Sequence, residues 1–84
     1  MKLHHRIESI RTRQDLASFV RALRADVQEH PEKWENATLD PFLESMAAWI
    51  DDMDGCFRNR GELVPEPPTW RLFGEILYAA GIYE

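Results

Sequence analysis

The stretch from Trp34 to Phe57, WENATLDPFLESMAAWIDDMDGCF, decides the fold of this chain. It combines a helix-start signal, apolar side chains at helical spacing and a run of acidic side chains. Thr38 and Asp40 are both good N-caps, and Pro41 is tolerated in the first turn because its amide would have no intrahelical partner. The stretch therefore predicts one long amphipathic helix that begins at Thr38 or Asp40.

The apolar side chains of this second helix fall on one side, which is typical of a helix that packs against a core. The stripe consists of Leu39, Phe42, Leu43, Met46, Ile50, Met53 and Phe57, with Trp49 on one edge and Ala47 on the other. Gly55 is the expected C-terminal stop, because glycine adopts the left-handed conformation that commonly ends helices. On this interpretation Phe57 lies just beyond the helix, and the whole stripe is ordinary core.

Two further helices are predicted, one on each side of that stretch. The first runs from about Thr12 to Glu29, because Thr12 and Asp15 have the spacing of a capping box and Pro31 prevents continuation. The last begins after Thr69, which serves as its cap. Its apolar positions are Trp70, Leu72, Phe73, Ile76, Leu77 and Ala80. This wide arc has two interpretations, a central buried helix, which we favour, or contact with a second copy of the chain.

The segments between these helices predict few regular elements. Residues 31–36 are expected to form one short helical turn that sets Trp34 against the core. Residues 58–68 contain one glycine and three prolines, which is typical of an irregular connection. We expect Leu63 and Val64 to anchor this connection to the core.

Together these elements predict an all-α fold, a compact single-domain bundle of three main helices plus a short helical turn around Trp34. The single domain covers residues 1–84, and residues 1–9 are a candidate for a poorly ordered N-terminal arm. A chain of this size buries only about 60% of its unfolded surface, so it needs dense packing. Three Trp, four Phe and two Tyr side chains favour an aromatic-rich core.

The net charge of -5 is distributed unevenly along the chain. Residues 1–24 carry six basic and two acidic side chains, whereas residues 25–54 carry one basic and nine acidic side chains. Such a balance disfavours nucleic-acid binding, which depends on clustered Lys and Arg, and no stretch approaches the roughly 20 apolar residues of a membrane span. Cys56 is the only cysteine, which fits a reducing compartment. We therefore expect a cytoplasmic protein that binds neither nucleic acid nor membrane.

Acidic side chains of the second helix are the candidate partner-binding residues. They are Asp40, Glu44, Asp51, Asp52 and Asp54. The last three lie near the predicted end of the helix, where the helix dipole disfavours negative charge. Two explanations follow, neutralisation within the chain by Arg58 and Arg60, or attraction to a partner with a basic surface.

Charge is also ordered around the predicted helices. Asp40, Glu44 and Asp51 project within roughly 40° of one another, beside the apolar stripe. The first helix carries basic side chains over a similar arc, namely Arg13, Arg21 and Arg24. If the two helices pack antiparallel, these charged sides are expected to face and screen each other.

No catalytic, cofactor-binding or metal-ligating residues are predicted. The aspartates at the end of the second helix have the oxygen chemistry of a Mg²⁺ or Ca²⁺ site, but they point in different directions and lack the spacing of a calcium loop. His4, His5 and His30 are too scattered for a zinc site, and Cys56 is expected to be a structural thiol. The chain also lacks GxSxG, P-loop and GxGxxG motifs. We expect no enzymatic activity, and a small metal-dependent enzyme is a disfavoured alternative.

A pattern of spaced residues resembles a known family. It comprises WEN at 34–36, LxxFLxxxAxW from Leu39 to Trp49, Asp52-Met53, Trp70 and the terminal Tyr83-Glu84. The chain from about Ile10 onward is similar to a small family of uncharacterised bacterial domains, a domain of unknown function. The resemblance implies kinship and carries no activity or site residue across.

Two functional hypotheses follow from these observations. The first is a protein-interaction module that binds a basic protein through its acidic surface, because complementary charge speeds encounter and selects partners. An immunity-type role, in which a small acidic protein neutralises a basic toxin, is an analogy only. The second hypothesis is a self-associating structural domain, a homodimer through the last helix.

Overall fold

The fold is built from helices that begin and end where the local sequence allows. The computed structural model describes residues 3–82, and within them no strand is present. A 3₁₀ helix at Leu3–Ser9 leads into α1 at Arg13–Glu29, and a short 3₁₀ helix at Pro31–Lys33 follows. Helix α2 spans Leu39–Asn59 and α3 spans Trp70–Ile82. The prediction of an all-α fold with three main helices is confirmed.

Side-chain caps begin two of the three α-helices, as predicted. Thr12 Oγ1 accepts a 3.1 Å hydrogen bond from the Asp15 amide, and the Asp15 carboxylate accepts one from the Thr12 amide. The Arg11 amide donates to the same carboxylate, and this bond holds the pKa of Asp15 below its ordinary value. At α3, Thr69 Oγ1 accepts from the Leu72 amide at 3.0 Å. Both caps satisfy amides that would otherwise lack a partner.

The end of α2 differs from the sequence prediction. Gly55 lies inside the helix, which continues to Asn59, so the expected stop at Gly55 is wrong. The left-handed residue that terminates the helix is Gly61, two residues after Asn59, with a φ of 73°. The Gly61 amide donates to the Arg58 carbonyl and the Glu62 amide to the Phe57 carbonyl, both at 2.9 Å, in a Schellman arrangement. Phe57 consequently lies within α2 and is buried.

Helix α3 lies between the other two α-helices. Both α1 and α2 pack against it, whereas no Cα atom of α1 lies within 8 Å of α2, two helices that lie wholly within the described residues. The favoured interpretation of the last helix as the central one is confirmed. The sequence predicts that the basic side of α1 and the acidic side of α2 face each other if these helices pack antiparallel. They do not pack together, so the two charged sides do not meet.

The hydrophobic core consists of two clusters, one on each side of α3. The cluster on the α1 side contains Ile7, Ile10, Phe19, Leu23 and Trp34. The cluster on the α2 side contains Trp49, Met53, Phe57, Leu72 and Ala79. Aromatic rings occur in both clusters, in line with the aromatic-rich core that the composition predicts.

Residues 3–9 form a helical segment that packs on the core through Ile7. The sequence made residues 1–9 a candidate for a poorly ordered segment, of which residues 1 and 2 lie outside the described residues. The 3₁₀ helix of residues 3–9 packs against α1 and α3 and buries Ile7. An isolated isoleucine in a polar stretch gives little periodic signal, which is why the sequence did not indicate this contact.

Trp34 connects α1 to α3. As predicted, it follows a short helical turn and is buried. Its indole Nε1 donates a 2.8 Å hydrogen bond to the carboxylate of Asp26 in α1, and its ring packs edge-on to Tyr78 of α3 with centroids 5.7 Å apart. Burial and the charge of Asp26 raise the pKa of Tyr78. The ring also lies directly on the backbone of Gly81, where a Cβ atom would collide with it.

Asn36 extends the same junction to α2. Its amide donates a 2.9 Å hydrogen bond to the Gly81 carbonyl. Its side-chain Nδ2 donates to Ser45 Oγ of α2 at 2.9 Å and to the Ala80 carbonyl of α3 at 3.1 Å. The WEN segment therefore holds the three helices together, which gives this motif a structural role.

Glycine substitutions test whether the close approach of Trp34 to α3 is required. Gly81→Ala is expected to lower the free energy of unfolding by about 1 to 3 kcal/mol, because the rigid indole must move away from the new methyl group. Gly55→Ala is the matched control, since nothing lies within 4 Å of a Cβ there. That control is expected to stabilise by about 0.5 to 1 kcal/mol through helix propensity. Urea unfolding measures both, and a Gly81→Ala protein more stable than wild type would contradict the packing described.

Threonine substitutions at two helix starts test the capping box. Thr12→Ala removes the hydroxyl that accepts the Asp15 amide and is expected to cost about 1 kcal/mol of stability. Thr38 stands at the start of α2, but its side chain makes no capping hydrogen bond. Thr38→Ala is therefore expected to cost clearly less in the same urea titration. Equal losses of stability in Thr12→Ala and Thr38→Ala would show that the hydrogen bonds of the capping box contribute nothing to stability.

Candidate interaction site on the second helix

Helix α2 exposes part of the apolar stripe that the sequence assigns to the core. The buried part is Trp49, Met53 and Phe57, which face α3. Leu39, Leu43 and Ile50 are 71%, 51% and 43% exposed, so the prediction that the whole stripe is core is wrong for these three residues. Within residues 3–82, α3 is the only α-helix with Cα atoms within 8 Å of α2, so no α-helix packs on one edge of the stripe. We call Leu39, Leu43 and Ile50 the ridge.

Four carboxylates lie alongside the ridge on the same helix. They are Asp40, Glu44, Asp51 and Asp54, which we call the acidic flank, and all four are exposed. At 100° per residue they project between roughly 40° and 120° from the middle of the ridge. Asp52 projects roughly 160° away, on the other side of the helix. The structure therefore brings four of the five predicted partner-binding residues together and separates Asp52 from them.

The acidic flank is not neutralised by the arginines that follow it. No salt bridge within residues 3–82 engages any of its four carboxylates or Arg58. Arg60 instead binds Glu62 at 3.2 Å and Glu75 at 3.1 Å, and its guanidinium lies 4.4 Å from the ring centre of Phe57. Burial lowers the pKa of Arg60, but the hydrogen bond and charge of Glu75 outweigh it and raise that pKa overall. The explanation by Arg58 and Arg60 therefore does not account for the flank.

A groove of about 720 Å³ opens at the C-terminal end of α2, against the start of α3. Its lining includes the buried side chains of Phe57 and Leu72 and the exposed side chains of Leu63, Trp70 and Phe73. Leu63 is 91% exposed, so its predicted role as a core anchor is wrong, whereas Val64 does pack against the core. The groove is thus an exposed apolar feature distinct from the ridge.

The charged side chains that line the groove balance each other. Arg11 and Arg71 line it together with Glu62 and Glu75, and both of these carboxylates are paired with Arg60, which lies outside the lining. Arg71 Nε lies 4.0 Å from Glu75 and is buried without a hydrogen bond within the described residues. The groove is therefore apolar and locally neutral, in a protein whose net charge is -5.

Other kinds of site find less support in the geometry. Among residues 3–82 no three His, Cys, Asp or Glu side chains stand close enough together to hold a metal ion. Cys56, in α2, is half-buried and free, and it packs against the α2-side cluster. Within the same range, no helix is long and apolar enough to cross a membrane.

Spacing could not have revealed that the ridge is exposed. Leu39, Leu43, Met46 and Ile50 recur at alternating intervals of four and three residues, and the same spacing continues through the buried Met53 and Phe57. This spacing shows that the side chains share one side of the helix, whether or not another element covers it. The groove has no sequence signal either, because its lining comes from three separate parts of the chain.

Comparison with known proteins gives a family but no activity. The model of a family of unknown function, DUF7660, matches residues 12–84, which is most of the chain. No curated protein and no solved structure matches. Of the sequence pattern, WEN lies at the junction of the helices, and the positions from Leu39 to Met53 lie in α2. The terminal Tyr83-Glu84 lies outside the described residues. The chain therefore belongs to DUF7660, a family of unknown function.

Proposed function

We propose that the protein is an interaction module whose binding surface is the outer face of α2, made of the ridge and the acidic flank. Its partner is a protein surface that presents cationic side chains next to apolar ones. One observation carries the proposal: three exposed large apolar side chains stand beside four carboxylates that no salt bridge engages within residues 3–82.

The two parts of this surface have different physical roles. Burying the exposed remainder of the ridge supplies affinity, since apolar surface contributes about 25 cal/mol per Å² removed from water. The acidic flank supplies selectivity and a faster encounter with cationic surfaces. Acidic side chains alone would serve solubility, but solubility gives no reason to place them beside exposed leucines.

The scaffold favours recognition without rearrangement. The ridge and the acidic flank belong to one helix of 21 residues, and Trp49, Met53 and Phe57 fix that helix against α3. A side chain on a packed helix has less freedom to lose on binding than one on a loop. The single cysteine supports a reducing compartment, and we propose the cytoplasm as the location.

Charge reversal on the acidic flank tests the proposal. A tagged protein carrying Glu44→Lys and Asp51→Lys is expected to lose the partner that the wild-type protein captures from its native lysate. The reason is that two attractive contacts become repulsive while the ridge stays intact. Mass spectrometry identifies the captured protein, and circular dichroism verifies that the variant is folded.

The matched control has the same change in net charge at other exposed sites. Glu29→Lys with Glu66→Lys alters residues outside α2, and it is expected to retain the partner. If both double variants lose the captured protein, total charge alone explains the binding. If neither loses it, the outer face of α2 is not the binding surface.

A further inference from the structure

We infer that the partner of the ridge is a second copy of this chain, whose groove receives it. This inference rests on the proposed function, because it uses the same face of α2 and names what covers it. The ridge is apolar and lies beside the acidic flank, whereas the groove is apolar and lies at the end of α2 that carries Arg58, which has no salt bridge within residues 3–82. Each molecule therefore carries both halves of a complementary contact.

The ridge and Phe57, one of the residues that line the groove, project from the same side of α2. At 100° per residue, Leu39, Leu43 and Ile50 project within roughly 40° of one another. Phe57, which lines the groove, projects in the same direction as Leu39, within roughly 20° of the middle of the ridge. The ridge occupies the N-terminal part of this line and the groove its C-terminal end.

An antiparallel pair of α2 helices brings each ridge to the other groove. If Ile50 of one copy faces Ile50 of the other, residues whose numbers add to about 100 lie opposite each other. Leu43 then lies opposite Phe57, and Leu39 lies opposite Gly61, at the end of α2 where the groove opens. A two-fold axis at Ile50 repeats the contact and closes the dimer. All three residues of the ridge are covered by this single arrangement.

Opposite charges near the two ends of α2 meet in the same alignment. Arg58 falls opposite position 42, between Asp40 and Glu44 of the second copy. None of these three side chains has a salt bridge within residues 3–82. The two-fold axis makes the contact twice, so opposite charges meet at both ends even though each copy carries -5.

A charge exchange between two variants tests this pairing. Purified wild-type protein is expected to sediment as a dimer in equilibrium with monomer. Arg58→Glu alone, and Asp40→Arg with Glu44→Arg, are each expected to weaken the dimer about tenfold or more, because like charges then face each other. An equimolar mixture is expected to restore the dimer, since both of its end contacts are attractive.

Several results would overturn the inference. One is a wild-type protein that stays monomeric up to its solubility limit. Another is a dimer whose association is unchanged by either variant. The third is a mixture of the two folded variants that does not associate. A dimer disrupted only by Phe73→Glu would indicate pairing through the last helix instead. A monomer that still loses a lysate partner with Glu44→Lys and Asp51→Lys would overturn the second copy while retaining the proposed function.

Asp51 separates the second copy from a foreign basic partner. In the antiparallel pair it lies next to the two-fold axis, on the same side as Asp51 of the second copy, so the two carboxylates repel. Asp51→Asn is therefore expected to tighten self-association in sedimentation. A foreign basic partner would instead be bound more weakly by Asp51→Asn, and weaker self-association would contradict the antiparallel alignment.

Discussion

The packing of the Trp34 indole on the backbone of Gly81 is the contact on which the arrangement of the helices depends. Glycine at 81 leaves room for the ring, and glycine at 74 leaves room for Ile10, whose Cδ1 would stand 2.5 Å from a Cβ there. Gly74 and Gly81 are seven residues apart and therefore lie on the same side of α3. The α1 side of the core can thus approach α3 closely, and α2 takes the other side. As a result α3 separates α1 from α2, and α2 keeps one uncovered edge.

That uncovered edge links the fold to a function. When a helix packs against only one other helix, the part of its apolar stripe outside that contact stays exposed. In α2 this part consists of three large apolar side chains. Exposed apolar surface is costly to retain in a small soluble domain unless a partner covers it. The acidic flank beside it restricts which partners fit, and Arg58 at the groove end of the same helix meets that restriction, because no salt bridge within residues 3–82 engages it. The proposals for function and for self-pairing therefore have one structural origin, the position of α3.

Helix caps and the short helical turn could be predicted from the sequence, but the number of elements that pack around each helix could not. Thr12, Thr69 and Trp34 were predicted because caps and helical turns depend on residues a few positions apart. The predicted stop at Gly55 is wrong because the buried Phe57 is part of the helix, and the left-handed residue is Gly61. The prediction that Leu39, Leu43 and Ile50 lie in the core is wrong because periodicity tells which residues share a side, not whether another element covers that side. Leu63 belongs to an irregular connection, where no periodicity indicates which side chains are buried. Helical geometry could already have separated Asp52 from the acidic flank.

The central claim is that the outer face of α2 is uncovered in the single molecule. Solvent paramagnetic relaxation measured by NMR on methyl groups tests it directly, with a soluble gadolinium complex and protein diluted until it is monomeric. The account predicts strong relaxation of the Leu39, Leu43 and Ile50 methyl groups, and protection of those of Leu23 and Leu72, which are buried on the two sides of α3. Protection of the three ridge residues in the dilute monomer would show that the chain itself covers this face, and would contradict the account.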